Sequence, residues 1–277
     1  MAPIAQRVLA LVIGALAFFF SLDASAFCRA TTCDPKKGDV CERNEEGCIR
    51  TGAGLRWRSL PIAYRFSAAG TEKMDEKAAR EIVRKAFANW TSVECDGVRT
   101  SLSFIERVDS RREGEPFTIH FRDDSWGHDD GDESLALTNQ RYGKLTGFIE
   151  YADIEVNTAE ARFALGPKDD GIDLETVLTH EIGHYIGLAH SNVPGSIMGP
   201  RYCQDGSQCG EAHLSDDDIE AVCMLYPPPE ATETLAPPPP VEAGCSLGVG
   251  TRATGAWPLA LVGLVLARRR WRTLARG

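Results

Sequence analysis

The eleven residues from His180 to His190, "HEIGHYIGLAH", constrain this 277-residue chain more than any other stretch. Three histidines and a glutamate fall within them, at spacings that one local geometry turns into a single site. On an α-helix, residues four apart share a face and lie one turn apart. His180 and His184 then direct two imidazoles at one point. Leu174, Leu178 and Ile182 run along another face, which can be buried. Glu181 is rotated by roughly 100° from His180, beside that point and not on it. For His190 to return as a third donor the helix has to stop at Gly187, a residue free to take positive φ and reverse the chain. Three neutral imidazole nitrogens suit an open Zn2+ site whose fourth place is left to water. A structural zinc is closed by a fourth protein ligand, and none follows at an obvious spacing.

The chemistry such a constellation serves is metal-assisted hydrolysis, in which a carboxylate beside the ion takes a proton from the attacking water. The letters HExxH alone arise often by accident. The longer H-E-x-x-H-x-x-G-x-x-H is more specific, because a glycine and a third histidine must also fall in register. Ser191 follows the third histidine, and "SIMGP" places Met198 eight residues after it. With these features the stretch resembles the metzincins and, among them, the matrixins. "LSDDDIEAVCMLY", with Asp217 and Asp218, resembles the last helix of the same family.

The resemblance runs from about Leu55 to Tyr226. It implies an α+β, zincin-like catalytic domain. Such a domain has a twisted, mostly parallel mixed sheet, an active-site helix beneath a cleft, a C-terminal helix, and a substrate strand laid against the sheet edge. It implies His180, His184 and His190 as zinc ligands and Glu181 as general base. Met198 is implied as an apolar floor that is not a ligand, and Gly199 and Pro200 as a wall of the specificity pocket. Three departures stand out. Nothing matches the cysteine-switch propeptide "PRCGxPD" of vertebrate matrixins. The usual second zinc site needs an H-x-D and two further histidines, but "FRDDSWGHDDGDES" offers only His128 among many aspartates. A calcium ion among Asp124, Asp129, Asp130 and Asp132 is the most that loop is expected to hold, since hard cations prefer carboxylates; a solvated acidic loop is the plainer expectation. His120, in a strand pattern, is expected to be structural, and His213 to lie at the surface before the last helix.

The rest of the chain frames this domain. "MAPIAQRVLALVIGALAFFFSLDASA", residues 1–26, has a basic start, an apolar stretch and a small-residue cleavage site, the pattern of a signal peptide. Export would expose the nine cysteines to oxidising conditions, where pairing is the default. Cysteines 28, 33, 41 and 48 mark residues 27–54 as a stapled N-terminal segment, with connectivity open. Cysteines 203, 209 and 223 are expected to staple the segment after Met198. Periodicity predicts strands at 61–66, 101–108, 117–123 and 147–158, and helices at 73–90, 173–187 and 214–226. Residues 227–244, "PPPEATETLAPPPPVEAG", form an extended proline-rich linker.

The tail, 245–277, joins a cysteine to about eleven apolar residues and then "ARRRWR". Eleven helical residues span about 16 Å, short of a ~30 Å hydrocarbon core. This pattern resembles the myxobacterial MYXO-CTERM sorting signal, which implies processing and lipid anchoring at Cys245. Membrane association is expected only through that tail.

Net charge adds a constraint on partners. The chain carries −10, and because the six arginines beyond Cys245 raise that total, residues 27–244 alone carry −16. Nucleic acid is therefore not an expected partner. The expectation is an exported, monomeric zinc endopeptidase that hydrolyses peptide bonds of proteins. The alternative is a zinc-containing surface binding or adhesion protein without peptidase activity.

Overall fold

Ten strands and three α-helices can be assigned in a computed structural model, which describes residues 27–107, 117–128, 134–166, 169–202 and 212–229. The strands are β1 (Arg56–Trp57), β2 (Ile62–Phe66), β3 (Glu94–Cys95), β4 (Val98–Arg99), β5 (Phe104–Glu106), β6 (Thr118–Phe121), β7 (Ala136–Tyr142), β8 (Phe148–Val156), β9 (Phe163–Ala164) and β10 (Ile172–Asp173). The helices are α1 (Glu76–Thr91), α2 (Leu174–Ile186) and α3 (Asp216–Leu225). The signal pattern at 1–26, Asp129, Asp130, Asp132, Cys203, Cys209 and the Cys245 tail lie outside the described residues. Among the described residues no helix is long and apolar enough to cross a membrane.

Six strands form the main sheet. The path runs β7–β8–β6–β2–β5, with β1 alongside the start of β8. Every pairing in it is parallel except β7 with β8. The α+β, mostly parallel mixed sheet is therefore as expected. Its central strands read as apolar because helices cover them. Ile62, Tyr64 and Phe66 of β2 are buried at alternate positions. On α1 the buried set is Ala79, Ile82, Val83, Ala86, Phe87 and Trp90, the stripe that helical periodicity predicts. Phe87 stacks on Tyr64 at 3.9 Å between ring centroids and meets Tyr185 of α2 edge-on.

Several strands differ from the sequence expectation, among them the two-residue β1, β9 and β10, for which no pattern was read. β7 lies in a stretch with no apolar alternation, and β3–β4 is a short antiparallel hairpin in what read as loop. The cysteine pairing also differs. Disulfides join Cys28 to Cys48, Cys33 to Cys41, and Cys95 to Cys223. Cys223 thus does not staple the segment after Met198. It sits on α3, where the fold brings it back to β3 across 128 residues of sequence.

Candidate metal centre

Helix α2 is built into the core. Leu174, Leu178, Ile182, Tyr185 and Ile186 are fully buried along it. The Asp173 side chain caps its N-terminus by accepting from the Thr176 N–H. Gly187 ends it at φ 108°, in the left-handed region, with its N–H returned to Gly183 and His184 carbonyls. A side chain there would be strained, and its Cβ would lie 2.6 Å from the Leu55 carbonyl oxygen. Gly183 is required for a different reason. A Cβ at that position would fall 2.1 Å from Met198 Sδ and 3.0 Å from Trp90 Cζ2. The methionine sulfur therefore lies directly against the helix backbone between His180 and His184.

The structure brings His180, His184 and His190 together, with one ligand atom of each within 4.8 Å of the others. It is the one group of three or more potential ligands among the described residues. His180 Nδ1 lies 2.7 Å from the Ile197 carbonyl, and His184 Nδ1 lies 3.0 Å from the Leu188 carbonyl. A carbonyl only accepts, so each Nδ1 carries the proton and each Nε2 keeps its lone pair. Burial pushes the His180 pKa down to about 4 and lowers that of His184, with the neighbouring imidazole adding to the effect at His184. Both rings are neutral at pH 7, as metal ligands must be. The donor set, its tautomers and its charge state fit zinc.

Glu181 is buried beside these rings. Its Oε2 accepts a 2.6 Å hydrogen bond from Thr138 Oγ1, which also lies 3.0 Å from the Glu181 carbonyl oxygen. Burial raises its carboxyl pKa, while His184 and Thr138 act in the opposite direction. Two residues along β7, Gln140 Nε2 donates to the His184 carbonyl at 2.5 Å. The edge strand thus addresses α2 through alternate side chains, Thr138 and Gln140. Neither was evident from the sequence; a threonine and a glutamine two apart, next to a hairpin, are the only trace they leave. On the expectation that Glu181 is the general base of a zinc peptidase, replacing Thr138 by valine should lower kcat about tenfold with KM and zinc content held, because one hydrogen bond to the carboxylate is lost. Thr138→Ser should recover most of the rate; steady-state kinetics with metal analysis checks both.

Asp218 closes the site from below. It accepts from Ser196 Oγ at 2.6 Å and from the Ile197 N–H at 2.9 Å, both in the turn before Met198. It also accepts from Ser215 N–H and Oγ in the capping box that starts α3. Asp217 accepts from Ser191 Oγ, next to the third histidine. Met198 is buried; Pro200 is exposed, two residues beyond it. Among the described residues His128 takes no part in a metal cluster. It contacts the Glu155 carboxylate, which also accepts from Arg122 and Asn139. Asp124 is exposed, and the other three aspartates considered for calcium lie outside the described residues. His213 is exposed just before α3.

Comparison with known proteins places these features in a family. The chain matches the family model for the matrixins, peptidase M10, over residues 56–227. It is 28% identical to human Matrix metalloproteinase-16 over 201 residues, which cover 67% of this chain and 29% of that protein. It is 32% identical to rat Stromelysin-2 over 231 residues, covering 81% of this chain and 44% of the relative. Mouse Matrilysin is 26% identical over 188 residues, covering 62% and 59% of the two chains. The chain thus spans less than a third of Matrix metalloproteinase-16 and under half of Stromelysin-2. With the family match extending from the first strand of the sheet to just beyond the last helix, the chain belongs to the matrixins.

Proposed function

We propose that the chain is an exported zinc-dependent endopeptidase that hydrolyses peptide bonds of extracellular proteins. One observation carries the reading: three imidazoles, with one ligand atom each within 4.8 Å of the others, stand beside a buried carboxylate. His180 and His184 would hold the zinc through Nε2, and His190 through a ring nitrogen. Zinc bound there supplies a Lewis acid that polarises the scissile carbonyl and acidifies water. The Glu181 carboxylate, held through Oε2 by Thr138, would take the proton as water adds to the carbonyl carbon. The same proton passes to the amide nitrogen as the C–N bond breaks. Met198 and Asp218 keep the ligand-bearing backbone in place while this happens. Among the described residues β7 is an edge strand paired only with β8, and an extended substrate would add to it as a further strand. Three disulfides among the described residues, together with the signal pattern at 1–26, support export. Cys245 remains the proposed point of processing and lipid attachment.

The test uses the purified full chain and an unfolded protein substrate, with products identified by mass spectrometry. Internal cleavage that stops with a chelator and returns with one equivalent of zinc is expected. A chain that holds one zinc yet cleaves nothing would point instead to the binding or adhesion role.

A further inference from the structure

The segment from Phe27 to Gly54 is placed against the site in a way that a detachable or inhibitory leader would not need. Its first contact is an antiparallel pairing with the loop that follows α2. Ala30 N–H donates to the Gly187 carbonyl at 2.9 Å, and Ala189 N–H donates to the Cys28 carbonyl at 2.8 Å, with Arg29 opposite Leu188. Leu188 is the residue whose carbonyl orients His184. The second contact is on the far side of His190, where Asn192 Nδ2 donates to the Glu46 carbonyl at 2.8 Å. Glu46 belongs to a tight turn closed by Asn44, which accepts from the Cys48 N–H and the Gly47 N–H. The Cys28–Cys48 disulfide, both cysteines buried, joins the two contacts. The segment is tied to the start of the sheet as well, through Leu55 N–H to the Ala30 carbonyl and Arg29 to the Gly54 and Leu55 carbonyls.

His190 is the ligand that depends most on such support. The rings of His180 and His184 are oriented by carbonyls, whereas His190 is exposed and its ring has no hydrogen bond among the described residues. Its position is set by the backbone on either side, which is where the segment holds it.

We propose that residues 27–54 act as a disulfide-locked clamp on the loop carrying His190, and that the Cys28–Cys48 bridge sets how firmly the three-histidine site retains its metal. This rests on the zinc reading above. Groups that fix a ligand without touching the metal typically change its affinity about 10–100-fold when removed. The clamp makes the segment part of the active unit, so its disruption lowers activity.

The experiment measures zinc release from the full chain into a chromophoric chelator, and the visible spectrum of the cobalt(II)-substituted protein. Cys28→Ser/Cys48→Ser is expected to release zinc about 10–100-fold faster, with an altered cobalt spectrum. Asn192→Ala, which removes only the Glu46 contact, should release it several-fold faster. Cys33→Ser/Cys41→Ser, whose bridge contacts neither side of His190, should stay within about twofold of the native rate. Unchanged release in Asn192→Ala and in the Cys28/Cys48 variant overturns the clamp; if the latter does not fold, Asn192→Ala decides alone. Unchanged release with raised peptidase activity would overturn it in favour of a plug. A native chain that binds no zinc would be a separate result, which sinks the metal-site reading itself and the clamp with it.

Discussion

Glu181→Ala is expected to lower the rate of peptide hydrolysis by about 10²–10⁴-fold while the protein keeps one zinc per chain. The split follows from position. The carboxylate lies beside the histidine cluster and belongs to none of its ligand pairs, so the donor set survives its removal. The proton of the attacking water then has no acceptor held next to it. Alanine also leaves Thr138 Oγ1 with a donor site still served by the Glu181 main-chain carbonyl, so the helix and edge strand stay joined. The measurement pairs kcat/KM with metal analysis on the same sample. A variant that keeps native turnover would remove Glu181 from the mechanism, and one that loses zinc would make it a structural residue.

Asp218→Ala is expected to cost about 3–5 kcal/mol of folding stability. The side chain is 1% exposed and ties two regions far apart in sequence. On one side it satisfies the Ile197 N–H and Ser196 Oγ of the turn beneath the histidines; on the other it completes the capping box of α3. Removing it leaves buried donors without acceptors and frees the Ile197 carbonyl that orients His180. Asp217 offers the internal comparison. It accepts from Ser191 Oγ through Oδ2, while its Oδ1 is buried with no hydrogen-bond partner. Asp217→Ala should therefore cost only about 1 kcal/mol. Urea unfolding of the two variants under oxidising conditions checks the order; equal losses would contradict it.

What the sequence made legible was whatever depends on side-chain period and spacing. α2 could be placed from its apolar stripe and Gly187, and with it came the convergence of His180, His184 and His190. Met198 was placed through the resemblance, and the close fit of its sulfur against Gly183 gives that placement a physical cause. β7 was not legible. It is an edge strand reading Ala-Leu-Thr-Asn-Gln-Arg-Tyr, and two of its polar side chains hydrogen-bond α2 instead of filling the core. A period-2 apolar pattern is therefore absent from a strand that is necessary to the site. The Cys95–Cys223 bridge was hidden for another reason, since it depends on how α3 returns to the β3–β4 hairpin and not on local spacing. The docking of residues 27–54 is made largely by backbone hydrogen bonds, which no side-chain pattern announces.

The geometry around the metal is the most direct test of all these inferences. Anomalous diffraction at the zinc edge from crystals of the full chain should locate one ion about 2.0–2.1 Å from a nitrogen of each of His180, His184 and His190, with the fourth place held by solvent next to Glu181. A fourth protein side chain on the ion, or an ion bound away from these three rings, would contradict the account.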